Sequence, residues 1–228
     1  MATRIEDLGY TALWLGGPQP DLADVDELLG ATDHLVVASS IYNIYRGDPA
    51  TLAAAYRRIE QSYPDRLLLG LGVGHPEQVG NYRTPIAALN EFLDGLDEHG
   101  VPREKRLLAA LGPKMLALAL ERAAGSVPYL VTPEHTRRAR AALGFTDDDL
   151  AGDGSDRLID HLAVHGDAAM VARGLREHLS AGANHVQIQV IGEHSAPHPQ
   201  MPEVLLQVHD EAAFGIYESL AGALGITP

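Results

Sequence analysis

The segment from His34 to Pro76, HLVVASSIYNIYRGDPATLAAAYRRIEQSYPDRLLLGLGVGHP, constrains the fold more than any other part of the chain. LVVASSI (35–41) and RLLLGLGV (66–73) lack polar alternation, as strands covered on both faces do. Between them Asp48 stands at a helix N-cap, with Pro49 at the first helical position. Leu52, Ala55, Tyr56 and Ile59 then recur at helical spacing and make one apolar stripe. The unit is therefore βαβ. Its polar and glycine residues gather at the C-terminal ends of the strands, the edge where parallel α/β folds bind ligands.

The same alternation runs along the rest of the chain. Strand-like runs occupy 11–16, 106–111, 127–131 and 185–191. Thr84 and Pro85 open a helix striped by Ile86, Leu89, Leu93 and Leu96, and Asp167 caps another carrying Val171, Leu175 and Leu179. One α/β domain over residues 1–228 with a mainly parallel sheet is the expected architecture. Six strands are two fewer than a closed eight-stranded barrel requires. The chain opens on a helix ending at Gly9 with no strand before it, and the interval from Val127 to His185 holds no convincing strand.

Composition narrows the function classes. The hydrophobic fraction of 46% supports a substantial core in 228 residues, yet no apolar run reaches the roughly 18 residues of a membrane span. The first residues carry no signal-peptide pattern, and cysteine is absent. A formal net charge of -14 opposes non-specific nucleic-acid binding. A cytoplasmic protein with no membrane or nucleic-acid partner is expected. The aspartates at 147–160 read as a solvated surface, and His194 and His198, beside Pro197 and Pro199, do not share a helix; no metal site is expected.

The strings EDLGYTALWLGG, SSIYNIYRGDPATLA, RLLLGLGVGHP, LLAALGPKMLALALERAAG, VPYLVTPEHTRRARAALG, GFTDDDLAGDGSDRLIDHLAVHGD and AGANHVQIQV follow one another up to about Ile191. In order and spacing the chain resembles the luciferase-like monooxygenase superfamily, and within it the coenzyme F420-dependent oxidoreductases. The resemblance implies a TIM-barrel-like (β/α) fold of the bacterial luciferase type. Here it would be incomplete, with about six of eight strands, because Leu143, Gly144 and Phe145 run together where relatives carry a further strand and a helical excursion. It also implies hydride transfer between F420 and a small organic substrate. The alternatives are an FMN-dependent monooxygenase and a non-catalytic flavin-binding remnant. A homodimer is expected, since a barrel short of strands exposes backbone that a partner can cover.

Candidate site residues cluster at strand ends. The resemblance puts a bulge with a non-prolyl cis peptide at Ser39, Ser40 and Ile41, behind the ring of the cofactor, with Ser40 and Asn43 bonding the ring edge. Gly70, Gly72 and Gly74 withdraw side chains, which suits approach by a flat ligand or by another backbone. His75 follows them; its imidazole titrates near neutrality and suits acid–base work, where the resemblance puts an acidic residue in some relatives. Gly112, Pro113 and Lys114 open an apolar helix whose free N–H groups and lysine suit a phosphate, as the resemblance also implies. Trp14 reads as core, Arg46 and Arg83 as solvated, and Thr132 to His135 as a capped helix start.

Overall fold

The computed structural model describes residues 1–74, 84–110, 112–129, 166–188, 196–198, 201–206 and 211–226. They divide into two compact units, residues 2–129 and residues 130–228 together with Met1.

The first unit is a parallel α/β layer. In chain order it runs α1 (Ala2–Asp7), β1 (Ala12–Leu15), α2 (Ala23–Gly30), β2 (Val36–Ser39), β3 (Tyr42–Asn43), α3 (Pro49–Ser62) and β4 (Leu67–Gly72). There follow α4 (Pro85–Glu98), a 3-10 turn (Arg103–Lys105), β5 (Arg106–Leu108), α5 (Pro113–Arg122) and β6 (Gly125–Ser126). The six strands make one sheet in the order β1-β2-β4-β5-β6, with β3 also on β4, and every pairing is parallel. Sequential strands paired side by side, with helices between them, are the arrangement of a TIM-barrel-like wall.

The sequence stripes account for the packing. Asp48 accepts the Thr51 N–H at 2.9 Å and Pro49 starts α3, which buries Leu52, Ala55, Tyr56 and Ile59. Those residues share one core with Val25 and Leu29 of α2 and with Leu89, Leu93 and Leu96 of α4. From the sheet, Val37, Leu67, Leu69, Leu71 and Leu108 join it.

Ionic clamps hold the N-terminal side of the sheet. Glu6 accepts backbone N–H bonds from Asp33, His34 and Leu35 at 2.6–3.2 Å. From the other side Arg66 donates to the Leu35 carbonyl at 3.0 Å, the Thr32 carbonyl at 2.9 Å and the Thr32 hydroxyl at 2.7 Å. The loop entering β2 thus has its donors and acceptors satisfied from two directions. Arg106, at 1% exposure, pairs with Asp97 at 2.7 Å and also donates to the Val101 carbonyl. Arg122 joins this network through Asp94 and Asp97, each at 2.8 Å. Burial disfavours the charge of Asp97, but bonds from Arg106 and Arg122 outweigh it and hold its carboxyl below the usual range.

The second unit contains α6 (Ala168–Ser180), an antiparallel pair β7 (Ala196–His198) and β8 (Met201–Leu206), and α7 (Glu211–Leu224). Asp167 caps α6 through the Met170 N–H at 2.8 Å. Ala172 and Leu175 are buried, while Leu179 is 48% exposed. Steps of four residues drift around a helix of 3.6 residues per turn, so the stripe expected at 171, 175 and 179 leaves the buried face at its end.

Strand boundaries differ from the sequence expectation in several places, and the run at 106–111 is a strand only over Arg106–Leu108. The run at 35–41 ends at Ser39 and resumes as β3. The strand expected at 127–131 lies at Gly125–Ser126, which pairs with β5, and residues 127–129 are not in a strand. Residues 185–188 of the run at 185–191 are not in a strand, and the rest of that run lies outside the described residues. The β7–β8 pair has no counterpart in the sequence reading, because Pro197 and Pro202 argue against strands.

Glu6 gives a test of the clamp. Burial opposes its charge, but the three backbone bonds and the nearby Arg66 charge lower its pKa overall. A carboxyl depressed on folding stabilises above its unfolded pKa, and that stability is lost as pH falls through the folded one. Glu6→Gln therefore lowers the melting temperature at pH 7 by a few degrees, as loss of about 1–2 kcal/mol requires. Thermal scans should show the gap closing toward pH 3; a gap independent of pH would count against the carboxylate.

Candidate active site at the strand ends

At the C-terminal edge, β2 and β3 both run along β4 but out of step. Ala38 pairs with Leu68 and Tyr42 with Leu71, so four steps on one side face three on the other. One extra residue is a β-bulge. The Ser40–Ile41 peptide bond inside it is cis, at the position where the resemblance implies one.

Two glycines of β4 receive the bulge. A Cβ on Gly70 would lie 2.0 Å from the Ser39 carbonyl oxygen, and one on Gly72 would lie 2.9 Å from Cδ1 of Ile41. The missing side chains at Gly70 and Gly72 are thus taken up by the neighbouring strand. Gly74 has φ +65°, a left-handed conformation that favours glycine. The Ser39 hydroxyl, fully buried, donates to the Gly70 carbonyl at 2.8 Å. It latches the bulge from the core side and presents no group to solvent. Ser40 stays in the ladder, its N–H donating to the Leu15 carbonyl at 2.8 Å, and Ile44 donates to the Gly72 carbonyl at 3.0 Å.

Asn43, half-buried, sits opposite Gly72, and its Oδ1 accepts the Tyr45 N–H at 3.0 Å. Its own carbonyl accepts the Arg46 N–H at 3.0 Å, closing a tight turn. Arg46 is exposed, with its guanidinium close to Gly17 after β1. Tyr42 points the other way, into the core against Phe92 with ring centres 6.2 Å apart. Burial first, then the charges of Asp48 and Asp21, push its hydroxyl up to about 12, so it stays protonated at neutral pH.

A cavity of about 500 Å³ opens between the starts of α4 and α5, lined by residues 84–86 and 112–115. Pro85, Ile86, Pro113 and Met115 make its walls apolar, and Lys114 supplies a charge. Neither Thr84 nor Gly112 caps its helix with a side chain; at α5 Pro113 brings no N–H and the Met115 N–H donates to the Gly112 carbonyl at 3.1 Å, which leaves the Lys114 N–H as the first-turn donor. A Cβ on Gly112 would meet nothing within 4 Å, which leaves open space where Gly70 and Gly72 are filled. The Thr84–Ile86 wall was missed as part of a site, since Thr-Pro reads only as a helix start until the fold sets it beside Gly112.

His75 and Arg83, with the helix start at 132–135, lie outside the described residues. Trp14 is half-buried on β1. Among the described residues no cluster of histidine and carboxylate side chains could hold a metal ion, and no helix is long and apolar enough to cross a membrane.

Residues 1–99 match the family model described as luciferase-like monooxygenase. In structure the chain is similar to the crystal structure of apo-MsnO8, with a TM-score of 0.60 at 16% identity. That match covers 100% of this chain and 91% of the other. At that identity the likeness shows the fold alone: this chain shares the α/β fold of that structure. No curated protein matches it.

The bulge makes a sharp prediction. Gly70→Ala drives a methyl into the Ser39 carbonyl and should cost about 3 kcal/mol, whereas Ser39→Ala loses one buried hydrogen bond and about 1 kcal/mol. Urea unfolding midpoints rank the two; equal losses would show that the close approach at Gly70 relaxes without cost.

Proposed function

We propose that this chain is a cofactor-dependent oxidoreductase of luciferase-like type. It would bind coenzyme F420 and support hydride transfer to or from a small organic substrate, with FMN-dependent monooxygenation as the alternative chemistry. The observation that carries this reading is the C-terminal sheet edge. There a bulge set by Gly70 and Gly72 stands beside β5 and α5, whose open N-terminus lines an apolar cavity. The luciferase-like match over residues 1–99 agrees with it.

The residues fit a tricyclic cofactor bearing a phosphate. Ser40, Ile41 and Asn43 would back and edge the ring, with Ser39 acting through the bulge that it latches. Gly72 would act by admitting Ile41, whose side chain fills the space beside it, and Gly74 by the left-handed turn that ends the strand. Gly112, Pro113 and Lys114 would hold the phosphate: the helix start supplies the Lys114 N–H and the positive end of its dipole, Gly112 leaves room for close approach, and the Lys114 side chain adds charge. When bound, the cofactor supplies the hydride chemistry. The chain's part is orientation and one acid–base group, for which His75 is our candidate. We also propose a homodimer.

Purified protein titrated separately with F420 and FMN, followed by cofactor absorbance and fluorescence, tests this. Tight F420 binding is the expected result, FMN binding alone moves the chemistry to monooxygenation, and binding of neither overturns the reading. Lys114→Ala should weaken FMN roughly tenfold while leaving riboflavin, which lacks the phosphate, unchanged. Equal losses for both ligands would remove Lys114 from the phosphate site.

A further inference from the structure

The loop between β1 and α2, residues 16–22, leaves the C-terminal edge of the sheet beside the bulge. A Cβ on Gly16 would lie 3.9 Å from the Ser40 carbonyl oxygen, and one on Gly17 would lie 3.9 Å from Nη1 of Arg46. Gly16, Gly17, Gln19 and Pro20 are exposed there, so the loop offers mostly backbone to anything bound at the edge. Its far end is tied down. Leu22 is fully buried in a left-handed conformation, φ 56°, which a leucine keeps only where packing enforces it. Asp24 accepts the Gln19 N–H at 2.9 Å, and Arg58 of α3 donates to the Asp21 carbonyl at 3.0 Å.

The middle of the loop is held from inside the core. Tyr42 is 1% exposed, and its hydroxyl donates to the Pro20 carbonyl at 3.4 Å. A buried phenol needs an acceptor, and burial keeps this one protonated at neutral pH, so it stays a donor. Gly47 lies on the other side of the same oxygen. A Cβ there would stand 2.0 Å from the Tyr42 hydroxyl and 3.4 Å from Cβ of Pro20. No left-handed φ calls for glycine at 47; the hydroxyl does.

We propose that Tyr42 is a positioning residue: through Pro20 it holds residues 16–22 as a fixed wall of the strand-end site, and Gly47 leaves its hydroxyl the room to do so. Resting on the cofactor reading above, in which the loops at this edge enclose the ligand, the role gives Tyr42 no contact with the cofactor. Its ring faces Phe92, and its effect passes through the loop.

Tyr42→Phe removes the hydroxyl and keeps the ring against Phe92. Hydrogen exchange followed residue by residue should rise roughly fivefold at Gly17, Gln19, Asp21 and Leu22 and stay unchanged in α3 and β4. The same variant should bind F420 or FMN, whichever wild type takes, roughly three- to tenfold more weakly. Gly47→Ala presses on the hydroxyl from the opposite side. It should lower the urea midpoint in wild type and lower it less in the Tyr42→Phe background, where the oxygen is gone. Unchanged loop exchange, exchange raised throughout the first unit, or unchanged cofactor affinity in Tyr42→Phe overturns the proposal and leaves the cofactor reading standing, as do equal losses for Gly47→Ala in the two backgrounds. Wild type that binds neither cofactor overturns both.

Discussion

Strand β4 is the constraint on which the first unit depends. Leu67, Leu69 and Leu71 are fully buried in the helix-side core. Two-residue alternation then sends Leu68, Gly70 and Gly72 to the opposite face. One face of β4 thus carries as much apolar bulk as the helices can cover, while the other is stripped to hydrogen at its C-terminal end. There the Ser39 carbonyl and the Ile41 side chain occupy the space that two Cβ atoms would need. Because β4 pairs with β2, β3 and β5, its register passes to every neighbour. A slip of one residue would bring leucines to the bulge and glycines to the core.

Division of labour between the two ends of the strands follows. Charge holds the N-terminal side: Glu6 and Arg66 grip the loop before β2, and Arg106, Asp97 and Arg122 tie the start of β5 to the end of α4. The C-terminal side carries glycines, a bulge and the starts of α4 and α5, which have no side-chain caps. Rigid anchoring at one end lets the other expose backbone donors without loss of register. In parallel α/β folds that is the arrangement that supports binding.

Much of this was legible in the residues. Asp48 with Pro49, and Asp167, mark their helix starts because capping is chemistry within one turn of chain. The stripes on α3 and α4 were readable for the same local reason. The β2–β3 irregularity was expected only through family resemblance, since nothing in SSIYN announces which residue is the extra one. Glu6 was invisible as an anchor: its partners lie 27 to 29 residues away, on backbone that carries no residue-specific signal. Ser39 looked like a ligand contact, yet the bulge leaves its hydroxyl on the core side. Gly72 looked like room for a ligand, and the room is filled by Ile41.

By itself the sequence determined the parallel α/β class, the helix starts and which faces are apolar, because these rest on spacing and capping over a few residues. Tertiary structure alone decided how those pieces face each other. It decided that Gly70 makes way for the Ser39 carbonyl, that the Tyr42 hydroxyl meets the Pro20 carbonyl, and that Thr84 stands across a cavity from Gly112. Each of these is a contact between segments whose register is set by the whole sheet, and register is a property that no single segment contains.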